Sequence, residues 1–155
     1  ISSSSLHPAC PVQVMSTANS RLLIGLQSPA TLDSLQPKLD QLIHLTPHVG
    51  ADGFFVFAVK PGSEPMTTES RMFCPLIGAP EDPVSGNAHG MLGVYLLNNG
   101  LLTAVDGKAS FVGLQGRFVD RPGTVEVTVA ASGKRASGVR VSGDAVIVYE
   151  AVLPL

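Results

Sequence analysis

The tract Glu81-Asp82-Pro83-Val84-Ser85-Gly86-Asn87-Ala88-His89-Gly90 holds the residues best suited to chemistry. Asp82 stands just before a helix start whose first turn carries few side chains. Ser85 is placed to cap that helix, and Gly86 and Ala88 leave the amides from Gly86 to His89 open to a ligand carboxylate. A carboxylate held beside another anion binds its proton more tightly, which suits it to proton transfer near neutrality. Asp82 as a proton-handling group and the helix start as an anion seat form one reading. The other is an Asp-Pro turn, common where a strand hands over to a helix.

Its neighbours divide the same way. Asn87 reads either as a cap or as an amide aimed at a ligand. His89, with a reference pKa of about 6.5, reads as an acid/base or binding group or as a structural histidine. Arg71 reads as a partner of Glu69 or Glu81, with substrate contact the lesser reading. Cys74 reads as a core thiol, because a nucleophile would want a nearby base and none is indicated. His7, His44 and His48 share no ligand spacing with the cysteines or carboxylates, so no metal site is expected. Glycine-rich phosphate loops are also missing.

These residues need elements to hold them. From Met91 to Leu97 the chain reads MLGVYLL, apolar on nearly every side, as in a helix buried within a fold. Asn99-Gly100 fits its left-handed end. Val12–Thr17 and Arg21–Gln27 read as strands joined by a turn, and a helix is expected from about Pro37 to Leu45. Gly53–Lys60 and Thr67–Cys74 read as partner strands. Downstream, Ala109–Gln115, Thr124–Ala130, Gly138–Ser142 and Ala145–Val152 read as strands, with a hairpin turn at Gly143-Asp144. The expected fold is α+β, a mostly antiparallel curved sheet wrapped around a central apolar helix.

Composition narrows the partners. The 155 residues fit a single domain, 1–155. Charged residues make up 14% of the chain, against roughly 25% in an average soluble domain. Part of the surface is therefore expected to face a partner domain or subunit. A net charge of −2, no basic cluster and 5% aromatics argue against nucleic acid and against an anionic membrane. No apolar run approaches the roughly 20 residues of a membrane span. Two cysteines make no disulfide framework, and a cytoplasmic location is expected.

Arg71-Met72-Phe73-Cys74-Pro75, Gly78 and Glu81 to Ala88 resemble the signature of the PhzF-like isomerases, phenazine-biosynthesis-type relatives of diaminopimelate epimerase. Gln115-Gly116 and Arg121-Pro122-Gly123 resemble that family's downstream QG…RPG stretch. The resemblance implies two pseudo-symmetric halves, each a curved sheet around an apolar helix, with the active site in the cleft between them. It implies that this chain corresponds to the C-terminal half, with its own N-terminal half as partner and general-base donor. Asp82 falls on the motif aspartate. Asn87 stands where the phenazine enzymes carry serine, which resembles the YddE-like branch.

The implied function is a cofactor-independent isomerase or epimerase moving a proton on a small carboxylate-bearing substrate. Asp82 is its catalytic residue, with Ser85, Gly86, Asn87, Ala88 and His89 binding substrate. Family members often pair, so a homodimer is also expected. The alternative is a non-catalytic protein of the same fold that binds small anions or serves as a scaffold.

Overall fold

A computed structural model of the chain describes residues 1–133 and 135–152. Among the described residues eight strands form one sheet: β1 (Gln13–Ser16), β2 (Ser20–Leu26), β3 (Phe54–Val59), β4 (Thr67–Cys74), β5 (Ala79–Asp82), β6 (Lys108–Gln115), β7 (Gly123–Ser132) and β8 (Arg135–Ser142). Their spatial order is β1-β2-β3-β4-β6-β7-β8, with β5 paired to β4. The helices are α1 (Pro29–Asp33), α2 (Leu39–Val49) and α3 (Gly86–Asn98).

Five of the strand pairings are antiparallel and two are parallel, β2 with β3 and β4 with β6. Parallel neighbours need a crossover, and here the crossovers are helical. Helices α1 and α2 carry the chain from β2 to β3. Strand β5 and α3 carry it from β4 to β6.

The two crossovers lie on opposite faces of the sheet, which explains the unbroken FFVFAV of β3. Phe55 and Phe57 pack with Leu92, Tyr95 and Leu96 of α3. Phe54, Val56 and Ala58 join a second cluster with Leu32, and Leu35 and Leu42 pack against it. A strand covered on both faces has no polar phase to show. The sheet curls into a half-barrel on the α3 side, and α3 touches β1 as well as β6, β7 and β8. Gly93 permits the closest approach: a Cβ there would lie 2.9 Å from side-chain carbons of both Val127 and Val129.

Three expectations need correction. The helix expected from Pro37 to Leu45 starts at Leu39 and continues to Val49, with Pro47 in its last turn and Gly50 ending it at φ +67°. A separate short helix, α1, precedes it, capped by the Ser28 hydroxyl, which accepts from the Thr31 amide.

The strand expected at Ala145–Val152 does not form among the described residues, so Gly143-Asp144 closes no hairpin. This segment lies in solvent, with Val146, Ile147, Val148 and Tyr149 each more than 80% exposed. Its backbone has no neighbouring strand edge within the described chain, and a strand without a ladder partner is not stable in water.

Candidate active site

Strand β5 delivers Asp82. Its Cα is in register with Met72 of β4, after an irregularity between Met72 and Cys74. Gly78, at φ +81°, makes the turn into β5. Pro83, Val84 and Ser85 then lead directly into α3. The carboxylate and the helix start are thus fixed by one sheet pairing and one short loop.

Ser85 occupies the helix N-cap position, but its side chain makes no capping bond. The hydroxyl donates instead to Oδ2 of Asp82. The Ser85 N–H donates to Oε1 of Gln115 at 3.2 Å, and Nε2 of Gln115 donates to the Asp82 carbonyl at 2.5 Å. Among the described residues no acceptor serves the backbone N–H groups of Gly86, Asn87 or Ala88. The first turn of a 13-residue helix therefore keeps its partial positive charge available beside the Asp82 carboxylate.

Asn87 is exposed, and its Nδ2 donates to the Thr17 hydroxyl at 3.1 Å. The residue that follows the β1 edge thereby touches the first turn of α3. Gly86 is partly exposed and Ala88 is buried.

His89 is the misfit of the expected binding set. The ring is fully buried, packed edge-on against Phe55 at 5.1 Å between centroids. Nδ1 lies 2.9 Å from the Ser85 carbonyl and Nε2 lies 3.3 Å from the Ser70 hydroxyl. Burial pushes its pKa down to about 4, partly opposed by the Ser85 carbonyl and the Asp82 charge. His89 therefore faces the core beneath the helix start, and its expected contact with substrate gives way to a supporting place. The physical reason is periodicity: the fourth residue of α3 points back into the sheet while Asn87 points out.

Arg71 takes the ion-pair reading. Its Nε and one terminal nitrogen donate to both oxygens of Glu81 at 2.9 and 2.8 Å. A further nitrogen donates to the Leu35 carbonyl at 2.8 Å, and the guanidinium lies over the Phe118 ring. Glu69 pairs instead with Lys60 and Arg117. Cys10 and Cys74 are buried free thiols, and burial raises the pKa of both. Among the described residues no group of three metal-ligating side chains occurs.

Two contributors are not singled out by the sequence reading as site residues. Thr17 gives no signal beyond its place in a strand. Gln115 does give one. The inward positions of β6 run Ala109, Phe111, Gly113 and Gln115, so a polar residue ends an otherwise apolar phase, and it is only 3% exposed. Such a residue needs built partners. The QG…RPG stretch as a whole packs on the Asp82 loop. A Cβ on Gly116 would stand 2.6 Å from the Pro83 carbonyl oxygen, and one on Gly123 would stand 2.4 Å from a methyl of Val84. The two sequence motifs are one structural unit.

Asp82 lines neither the 220 Å³ cavity beside Glu69 and Arg117 nor the 520 Å³ groove under α2. It belongs to an open face with Asn87 and the half-exposed Val84 and Val141. No helix among the described residues is long and apolar enough to cross a membrane.

Similarity to known proteins agrees with this geometry. The "Uncharacterized isomerase YddE" of Salmonella typhimurium is 41% identical over 145 residues, covering 93% of this chain and 48% of that protein. The trans-2,3-dihydro-3-hydroxyanthranilate isomerase of Pseudomonas aeruginosa is 28% identical over 134 residues, 86% of this chain and 44% of that protein. The chain spans about half the length of the curated relatives it matches.

Among solved structures, a Bacillus anthracis phenazine biosynthesis protein of the PhzF family superposes with a TM-score of 0.69 at 17% identity. The match covers 89% of this chain and 50% of that one. A "Predicted Epimerase" of Pseudomonas aeruginosa superposes at 0.59 with 27% identity, covering 94% and 48%. The phenazine biosynthesis-like profile matches residues 1–151, and with this sheet, this helix start and this motif the chain belongs to the phenazine biosynthesis-like (PhzC-PhzF) family.

Proposed function

We propose that this chain is half of a cofactor-independent isomerase or epimerase that moves a proton on a small carboxylate-bearing substrate. The observation that carries the reading is the set of unbonded amides at Gly86, Asn87 and Ala88 beside the Asp82 carboxylate. A substrate carboxylate is held by those amides and by the Asn87 side chain. Asp82, kept in place by Ser85, holds or shuttles the proton, and a companion N-terminal half supplies the general base.

Surface composition supports the companion half. Val84, Val139 and Val141, around the start of α3, are 40–43% exposed. The apolar segment from Val146 to Tyr149 has no cover among the described residues. Contiguous apolar surface of this kind marks an interface. The reduced, buried cysteines fit a cytoplasmic location, and we propose that complete subunits pair as homodimers.

The test uses protein from the complete reading frame in D2O with a panel of 2-hydroxy, 2-amino and conjugated cyclic carboxylic acids. Substrate deuterium uptake is expected, with a loss of roughly 10²-fold or more in the Asp82→Asn variant, the usual scale of an acid–base group. Uptake at the wild-type rate in that variant overturns the role of Asp82. Carboxylate binding without exchange favours the non-catalytic reading.

A further inference from the structure

Serine at a helix N-cap ordinarily accepts a hydrogen bond from the second or third helical amide, here Asn87 or Ala88. Ser85 stands at that position and does not cap. The bonds around it account for the difference.

Its N–H is taken by Oε1 of Gln115. Its carbonyl accepts twice from His89, from the backbone N–H at 3.1 Å and from the ring at 2.9 Å. A nitrogen facing a carbonyl must carry the proton, so Nδ1 is the N–H of the neutral ring. Nε2 is left as an acceptor 3.3 Å from the Ser70 hydroxyl, whose one proton is shared between it and the Leu114 carbonyl at 3.2 Å. The Gln115 amide is oriented by the same logic. Nε2 faces the Asp82 carbonyl at 2.5 Å and the Ser85 hydroxyl at 3.3 Å. Because Ser85 Oγ accepts from Gln115, its own proton is left for Asp82. Ser70, His89 and Gln115 are 2%, 0% and 3% exposed, so none of the three reaches a ligand.

We propose that Gln115 and His89 are positioning residues that clamp Ser85, turning its hydroxyl away from the helix amides and onto Asp82. One clamp thereby does two things: it empties the first turn of α3 for an anion and gives the carboxylate a fixed donor. This rests on the anion-site reading above and adds the residues that create the vacancy.

The experiment compares amide hydrogen exchange at Asn87 and Ala88 with the affinity for benzoate, a carboxylate lacking an α-hydrogen, in protein from the complete reading frame. His89→Leu and Gln115→Met free the serine to cap. In both variants exchange at Ala88 is expected to slow about tenfold and benzoate affinity to fall about tenfold. His89→Asn, whose side-chain amide can place an N–H where Nδ1 stands, is expected to restore both. Adding Ser85→Ala to either variant returns fast exchange, because no cap remains to form.

Wild-type exchange and affinity in a folded His89→Leu or Gln115→Met protein overturn the clamp. Should one of them fail to fold, the other is read alone, and His89→Asn joined with Ser70→Ala replaces a pair that both fail. In that replacement the side-chain amide introduced by His89→Asn keeps Ser85 clamped, so Ala88 exchange stays fast, and slowed exchange overturns the clamp. Wild-type protein that does not bind benzoate overturns the anion-site reading, while the exchange rates still judge the clamp.

Discussion

The imidazole of His89 fills the space that Gly113 leaves by lacking a side chain: a Cβ there would meet Cδ2 of the ring at 2.1 Å and Nε2 at 2.3 Å. Because His89 is held by Ser85 and Ser70 on its two nitrogens, the ring cannot step aside without breaking a buried bond. Gly113→Ala is expected to destabilise the fold by about 1–3 kcal/mol, the ordinary cost of overpacking. Urea unfolding reads it directly. Adding His89→Ser should recover part of that loss, since the two residues share one volume.

The same ring gives stability a pH dependence of known sign. Above pH 6.5 the imidazole is neutral in both folded and unfolded chains, and its contribution is complete. Between 6.5 and about 4 the unfolded chain takes a proton that the buried ring refuses, so stability falls with pH by a total on the order of 3 kcal/mol. Below about 4 the loss levels off. Thermal melts from about pH 7.5 to 4 should show this slope in the wild type and a flatter curve in His89→Asn.

Glu81 and Arg71 form a buried two-bond pair at 12% and 7% side-chain exposure. Glu81→Ala strands a guanidinium between two phenylalanine rings and is expected to cost about 3–5 kcal/mol. The joint replacement Arg71→Met with Glu81→Leu should cost far less, because no charge is left unpaired. Chemical denaturation of both proteins decides.

The segment from Val146 to Tyr149 should govern how the 155-residue chain behaves alone. Four consecutive apolar, β-prone residues in solvent are an association hazard. Light scattering is expected to show concentration-dependent self-association, reduced by Val146→Lys with Val148→Lys. In protein from the complete reading frame, the amides of this segment should be protected from exchange.

Much of this is legible in the residues. The period and apolarity of Met91 to Leu97 mark the helix, and strands Gln13–Ser16, Phe54–Val59 and Thr67–Cys74 follow from their alternation or continuous apolarity. The placing of Asp82 just before a helix start with few side chains is legible because Gly86 and Ala88 directly follow the Asp82-Pro83 turn. Parallel pairing is not legible, since nothing in FFVFAV says which neighbour it meets; only its two-sided apolarity hints at helices on both faces. Strand Ala79–Asp82 escapes a sequence reading because APED has no β character and forms only by pairing with Met72 and Cys74. His89 misleads because its sequence position shows the turn of the helix but not what lies beneath it. Ala145–Val152 has a strand's composition and lacks the partner that composition presumes.

The glycines of α3 set where the site has room to change. Gly86 and Gly90 already lie against Val139 and Val141 of β8 at 3.4–3.6 Å from where a side chain would begin. Neither glycine can be trimmed further, although Asn87, exposed on the same turn, can be. At these two positions added room comes from β8, by shortening Val139 or Val141, so the strand as well as the signature tract shapes the surface at the proposed anion seat.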